Sequence, residues 1–154
     1  MTGYLDYLRA TIEWKTAGVN AEGMRRTVGA STMTLGGLLK HLAAVEDSHF
    51  NEWLLGCPPG PPWDTVDDDW PWTSAATDPP EDLRAMWRDA CDRSRAIVSL
   101  ALRDGGLEQL GKIVSSRGES PRLRYIIMAM IEEYARHIGH ADLLREAVDG
   151  LTGE

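Results

Sequence analysis

A glutamate and two histidines lie within one short segment, 131–142, near the C-terminal end of the sequence. The surrounding run, 123–148, repeats apolar residues every three or four positions and so predicts one amphipathic helix. Its apolar stripe consists of Leu123, Ile126, Met130, Tyr134, Ala141, Leu144 and Val148. His137 falls within this stripe and Glu133 lies one turn before it, whereas Glu132 points to solvent. A carboxylate and an imidazole on a core-facing surface are costly unless a partner neutralises them, and a divalent metal would do so.

A further metal ligand would have to come from another helix. The sequence predicts a helix that Thr34 caps and that ends near Leu55. His41 lies at the edge of the apolar stripe of this helix, and His49 lies within the stripe. Facing helices of a bundle can bring side chains to one point in the core. Two imidazoles and one carboxylate would leave positions open for water or substrate, which favours a catalytic site over a structural one.

The alternative is that each histidine is a core polar residue satisfied by ordinary hydrogen bonds. The shared stripe and the four-residue spacing of Glu133 and His137 weaken that interpretation. His140 follows His137 by three residues on the same edge of the helix. Spacing alone leaves His41 and His49 both open as the ligand from the second helix.

Four segments have the periodicity of long helices, with predicted bounds 4–18, 34–55, 80–104 and 120–150. Asn20 is predicted to cap a short turn after the first, and Ser120–Pro121 to open the last. The sequence therefore predicts an all-α protein, a four-helix bundle in a single domain spanning 1–154. A long crossover loop between the second and third helices fits an up-down-down-up order.

The crossover loop, 57–80, is too rich in proline for regular structure. It also holds Trp63, Trp70 and Trp72, which argue against disorder because tryptophan buries much apolar area. Two interpretations stay open for this loop. It either packs across the bundle or a subunit interface, or it forms the wall of a pocket.

The chain has 16 basic and 24 acidic residues and a net charge of −8, without a basic patch, so nucleic acid is not expected as a partner. No apolar run has membrane-spanning length and no signal-peptide pattern is present, so we expect no membrane association and a cytoplasmic protein. Cys57 and Cys91 form no CxxC pair, and a disulfide is not expected between them.

Two segments resemble motifs of the DinB-like four-helix-bundle metalloproteins. Segment 35–46 reads LGGLLKHLAAVE and is similar to the motif of their second helix. Segment 132–146 reads EEYARHIGHADLLRE and is similar to their fourth-helix motif in the branch called mini-circle proteins. The resemblance spans nearly the whole chain. It implies a four-helix bundle with a long crossover that is often dimeric, so a homodimer is expected.

The resemblance also implies the ligand set. By position, the metal triad of the family falls on His41, Glu133 and His137, which favours His41 over His49. Many relatives have a third histidine where Glu133 stands. A glutamate there resembles the branch of mycothiol-dependent maleylpyruvate isomerase, which binds zinc. Nickel, iron or manganese would accept the same ligands.

Residues near the predicted triad are candidates for supporting roles. His140 is interpreted as a partner of the ligands or a pocket residue, with a ligand role as the alternative. Glu46 and Asp142 are candidates to orient a ligand imidazole. Tyr134 neighbours the ligands without a predicted acid or base role.

Members of this family include transferases and isomerases that use bacillithiol, mycothiol or glutathione. The resemblance therefore implies a metal-dependent S-transferase that joins a mycothiol-type thiol to an electrophilic substrate. A metal-assisted hydrolase, in which water takes the place of the thiol, is one alternative. A non-catalytic metal-binding or stress-response module is the other.

Overall fold

The computed structural model describes residues 1–153, and these contain helices and connections with a single isolated β-bridge between Leu110 and Arg122. The α-helices in chain order are α1 (Thr2–Thr16), α2 (Ala21–Met24), α3 (Leu35–Asp47), α4 (Trp70–Ser74), α5 (Pro80–Asp104) and α6 (Leu123–Asp149). A π-helical segment, Ser48–Leu54, continues α3, and two 3₁₀ turns span Ala75–Thr77 and Gly106–Glu108. The all-α prediction is confirmed. None of these helices is long and apolar enough to cross a lipid bilayer.

The side-chain caps predicted at Asn20 and Thr34 are present, whereas the one predicted at Ser120 is not. The side chain of Asn20 accepts a hydrogen bond from the Gly23 amide at 2.9 Å, and that of Thr34 accepts one from the Gly37 amide at 3.0 Å. Each cap satisfies an amide that the first helical turn leaves without a backbone partner. At the end of α6, Gly150 has a φ of 77°, the left-handed conformation that ends helices. The start of α3 and the end of α6 were therefore correctly predicted.

One predicted helix boundary and one prediction for the crossover loop were wrong. The last helix begins at Leu123 rather than at Ser120–Pro121, because the backbone before it pairs with another segment. The Pro121 carbonyl accepts from the Gly111 amide at 2.7 Å, which holds this stretch in an extended conformation. The crossover loop is not free of regular structure either, since it contains α4 and the 3₁₀ turn that follows it.

The core lies between the four long helices α1, α3, α5 and α6. Helix α3 packs against both α5 and α6, and α1 packs mainly against α6. Leu38 and Leu42 of α3 and Ile126 and Met130 of α6 are at most 1% exposed. Burial of each such side chain contributes about 1.5–3 kcal/mol to the free energy of unfolding. This packing fixes α3 against α6, the two helices that carry the predicted metal ligands.

A buried hydrogen-bond network joins all four long helices. Arg9 of α1 donates from Nε and Nη2 to the two carboxylate oxygens of Glu46 of α3, at 2.7 Å each. The Tyr134 hydroxyl of α6 donates to Glu46 Oε1 at 2.7 Å, and the Trp87 indole of α5 donates to the Tyr134 oxygen at 2.9 Å. All four side chains are buried. The carboxylate of Glu46 therefore anchors the register of α3 against α1 and α6.

Candidate metal centre

The structure brings together the three side chains predicted as metal ligands. Helix α3 supplies His41, and α6 supplies Glu133 and His137 from successive turns. Glu133 Oε1 lies 2.9 Å from His41 Nε2 and 3.1 Å from His137 Nε2. One ligand atom from each residue lies within 4.8 Å of the other two. Two imidazole nitrogens and a carboxylate oxygen thus converge between α3 and α6.

The surroundings of Glu133 favour the ionised form of its carboxylate. Hydrogen bonds from His137 and His41 hold the pKa of Glu133 well below its usual range, although burial acts in the opposite direction. His137 is only 6% exposed, whereas His41 and Glu133 are half-buried. The centre therefore has an inner edge within the core and an outer edge that solutes can reach.

The donor set and its spacing fit a divalent metal. Ligands of tetrahedral zinc lie about 2.0–2.1 Å from the ion, which places neighbouring ligand atoms roughly 3.3 Å apart. The observed separations of 2.9 and 3.1 Å are slightly shorter, so small side-chain movements would open the space that an ion needs. Three protein ligands leave coordination positions for an exogenous group. The centre could hold an ion in a site open to substrate.

His140 lies behind His137 rather than beside the other two ligands. Its Nδ1 is 3.2 Å from His137 Nδ1, so it faces the ring nitrogen that points away from Glu133. Metal-bound histidines usually bond through their other nitrogen to a polar group that fixes ring orientation. The geometry suits His140 to that orienting role.

The other candidates lie outside the triad. His49 Nδ1 bonds to the Val45 carbonyl at 3.0 Å, and its ring lies 4.1 Å from that of Trp53. Burial lowers the pKa of His49, which favours the neutral imidazole.

Among residues 1–153, Glu46, Tyr134 and Asp142 form their hydrogen bonds and ion pairs with groups other than the imidazoles of His41 and His137. Glu46 and Tyr134 belong to the buried network with Arg9, and Asp142 pairs with Lys15 at 2.6 Å. Glu46 follows His41 by five residues and Asp142 follows His137 by five, as counted along the sequence. Five residues rotate a helical side chain by about 140° from its starting direction. Both carboxylates therefore point to a different side of the helix from the nearest ligand.

Helix α4 from the crossover loop covers one side of the centre. The indole of Trp72 stacks on the His41 ring with centroids 4.9 Å apart, and it lies 6.3 Å from the His137 ring. Gly37 permits this approach, because a Cβ there would lie 2.8 Å from Trp72 Cε3. Trp72 therefore restricts the orientation of the His41 imidazole.

Lys40, next to His41 in sequence, fastens α4 in place. Its buried ammonium donates to the Ser74 hydroxyl at 2.6 Å, pairs with Asp78, and lies 3.7 Å from the centroid of the Trp70 ring. Sequence reasoning missed this role. The available signal was a lysine inside the strongly apolar stretch 38–45, because a buried lysine requires partners.

The crossover loop also bounds a cavity of about 390 Å³ that reaches His41. Its walls come from the solvent side of α3 and from the loop, including Trp63 and Pro71. Its volume lies within the range of small-molecule sites in proteins. The structure shows both features predicted for the tryptophan-rich loop, since the loop lines this cavity and its helix α4 packs against α3.

The cysteines are expected to differ sharply in thiol labelling. Burial, together with the charge of Glu46, raises the pKa of Cys91 to about 12, whereas Cys57 is exposed. Because the thiolate is the reactive form, native protein at pH 8 should incorporate one equivalent of a maleimide or disulfide reagent, on Cys57. Protein in denaturant should incorporate two. Rapid labelling of Cys91 in native protein, located by peptide mass spectrometry, would contradict this assignment.

Residues 1–153 form a helical fold that brings two histidines and a glutamate to one point between its helices, as expected for a DinB-like protein. The family model described as Mycothiol-S-transferase matches residues 1–150. The chain therefore belongs to the mycothiol S-transferase family, and the resemblance found in the sequence motifs is confirmed. No curated protein and no solved structure matches the sequence.

Proposed function

We propose that this protein is a divalent-metal-dependent S-transferase that uses mycothiol or a closely similar small thiol. The observation that carries the proposal is the convergence of His41, Glu133 and His137 on one point, in a member of the mycothiol S-transferase family. A divalent metal held there would lower the pKa of a coordinated thiol and present its thiolate to an electrophile. Zinc is the metal we propose, because two imidazoles and a carboxylate form an open zinc site in many enzymes.

The protein side chains position the reactants in this proposal. His137 is held from behind by His140, and His41 is held by the stacked Trp72. The cavity that His41 lines would bring an electrophile next to one of the three proposed ligands. In the transfer, the thiolate sulfur forms a bond to the electrophilic carbon while the leaving group departs with its electron pair. The thiol proton passes to solvent.

We also infer the up-down-down-up order for the four long helices. Contacts between residue pairs support parallel α1 and α6, since Leu5 and Ile127 line one cavity and Lys15 pairs with Asp142 further along. Helices α3 and α5 show the same relation.

Two contacts support the parallel arrangement of α3 and α5. A Cβ at Gly36 would lie 3.0 Å from Leu83 near the start of both helices, and Asp47 pairs with Arg93 further along. In both helix pairs, residue numbers increase in the same direction. This order places α3 and α6 antiparallel, which lets His41 face two turns of α6.

The test combines metal analysis with a thiol-dependence assay on protein purified without an affinity tag. We expect close to one equivalent of metal per chain and consumption of an electrophile only when mycothiol is present. Chelation should abolish turnover, and added zinc, compared with nickel, iron and manganese, should restore it. Electrophile consumption that persists without any thiol would instead indicate a hydrolase. Bound metal without thiol binding or turnover would indicate a binding module, and either result would overturn the proposal.

A further inference from the structure

The cavity beside His41 has a wall that could select the electrophile. It lies between the outer side of α3 with its π-helical extension and segment 59–71 of the crossover loop. Val45 and Ala44 line one side, and Trp63, Val66 and Pro71 line the other. These side chains could contact an apolar body about the size of a substituted phenyl ring. The cavity therefore offers an apolar floor that ends at a predicted metal ligand.

Three of the five polar side chains that line the cavity are acidic, and the other two are His41 and Ser48. Glu52 lines it from the π-helical segment, and Asp67 and Asp68 line it from the loop. No lysine or arginine of residues 1–153 lines it. Arg93 lines a neighbouring cavity together with Trp63 and is bound through two of its nitrogens to Asp47. A ligand in this cavity would meet carboxylates that no neighbouring cation has neutralised.

Two further features favour a cation over a neutral ligand. Burial, and then the charge of Asp47, raises the pKa of Glu52, so a positive group in the cavity would stabilise the ionised carboxylate. The indole of Trp63 lines the cavity and donates its N–H to Asp47 at 2.9 Å, which increases the negative character of the ring. Aromatic rings next to carboxylates attract ammonium groups. The net charge of −8 would draw such ligands toward the protein.

We propose that the electrophilic substrate is a cationic molecule, an apolar body bearing a protonated amine. The apolar body occupies the floor of the cavity next to His41, and the ammonium group lies against Glu52, Asp67 and Asp68. Anionic electrophiles are disfavoured by the same carboxylates. This assignment of substrate class rests on the proposed transferase function, but it concerns binding and can be tested without turnover.

The test compares two probes of the same shape, 3-phenylpropylammonium and 3-phenylpropanol, which differ in charge. Binding to the intact, metal-loaded protein at low salt is followed by tryptophan fluorescence and by calorimetry. We expect the ammonium to bind about tenfold more tightly, since each partly exposed charge pair is worth a small factor. Added salt should remove most of the difference. Equal Kd values for the two probes would overturn the proposal.

Matched variants locate the binding. The double variant Glu52→Gln/Asp68→Asn should bring the two Kd values within about threefold. Asp64→Asn/Asp89→Asn removes the same charge from exposed positions outside the cavity and should keep the preference. If both double variants behave alike, the probe binds by general attraction and the proposal is wrong. If the first variant is not folded by circular dichroism, Glu52→Gln alone is compared with Asp64→Asn under the same criterion.

The result of the probe-binding experiment is independent of the result of the transferase test. Thiol-dependent turnover together with equal binding of the two probes would leave the proposed function in place and remove the cationic substrate. A clear ammonium preference without thiol-dependent turnover would support the binding of cations in the cavity and overturn the proposed transferase function. If the protein is active, KM and kcat can be measured separately for a series of electrophiles. The members of the series should have the same intrinsic reactivity and carry either an amine or a carboxylate. We expect the charge preference in KM, because the carboxylates contact the part of the substrate that does not react.

Discussion

Replacing Glu133 with alanine is expected to remove bound metal and thiol-dependent turnover together. Glu133 supplies the one anionic donor of the triad, and both imidazoles bond to its Oε1. Loss of a group that merely orients a ligand typically weakens metal binding about 10–100-fold, so loss of a direct ligand should weaken it by more than about 100-fold. Metal content after dialysis and affinity from competition with a chromogenic chelator measure the effect.

Glu132→Ala is the matched control for this experiment. Glu132 is the preceding residue on the same helix, it is exposed, and it pairs with Arg136 at 2.6 Å away from the centre. Its removal takes away the same side chain and the same charge, and metal affinity should stay within about threefold, since exposed ion pairs are weak. Full metal content in Glu133→Ala would show that the triad is not the binding site. Equal losses in both variants would indicate a general effect of charge on α6.

The long helices and their caps could be predicted because those features are local. Asn20 and Thr34 each bond to an amide three residues ahead, and such a bond depends on residues adjacent in sequence. The start at Ser120–Pro121 followed the same local rule and was wrong. A contact between Pro121 and Gly111, ten residues earlier, holds the chain extended there. Such contacts override the local helix propensity when they provide hydrogen-bond partners for backbone groups.

The proximity of Glu133 and His137 could be predicted from sequence for a similar reason. Glu133 and His137 share one face of α6 at a spacing that can be read directly from the sequence. The choice of His41 from α3 required the family resemblance, because His49 also lies on an inward-facing stripe. The structure places His49 against Val45 and Trp53.

The surroundings of the triad could not be predicted from periodicity. Trp72 reaches His41 because Lys40 holds α4 through Ser74 and Asp78, and because Gly37 lacks a side chain. These contacts join residues more than thirty positions apart through a loop without a repeat. A sequence can show that tryptophans are present in such a loop, but it does not show which ring stacks on which ligand.

The buried network around Glu46 shows how distant residues support the centre without touching it. Glu46 accepts from Arg9 through both carboxylate oxygens and from Tyr134, the residue that follows Glu133. Ion pairing with Glu46 raises the pKa of Arg9 despite burial, so this guanidinium stays charged. Because the network connects α3 to α6 one turn from the triad, it fixes the register in which His41 meets Glu133 and His137.

Glu46→Ala is therefore expected to be strongly destabilising. It would leave the buried guanidinium of Arg9 without its main partner and the Tyr134 hydroxyl without its acceptor, and breaking one side of a buried pair typically costs about 3–5 kcal/mol. Urea denaturation followed by circular dichroism measures the free energy of unfolding. Asp92→Ala, which breaks the exposed pair with Arg95, is the control and should cost at most about 1 kcal/mol. Similar losses in the two variants would contradict the view that Glu46 anchors the four helices. A large loss in Glu46→Ala alone, with weakened metal binding in the folded fraction, would show that the network positions the ligands as well as stabilising the fold.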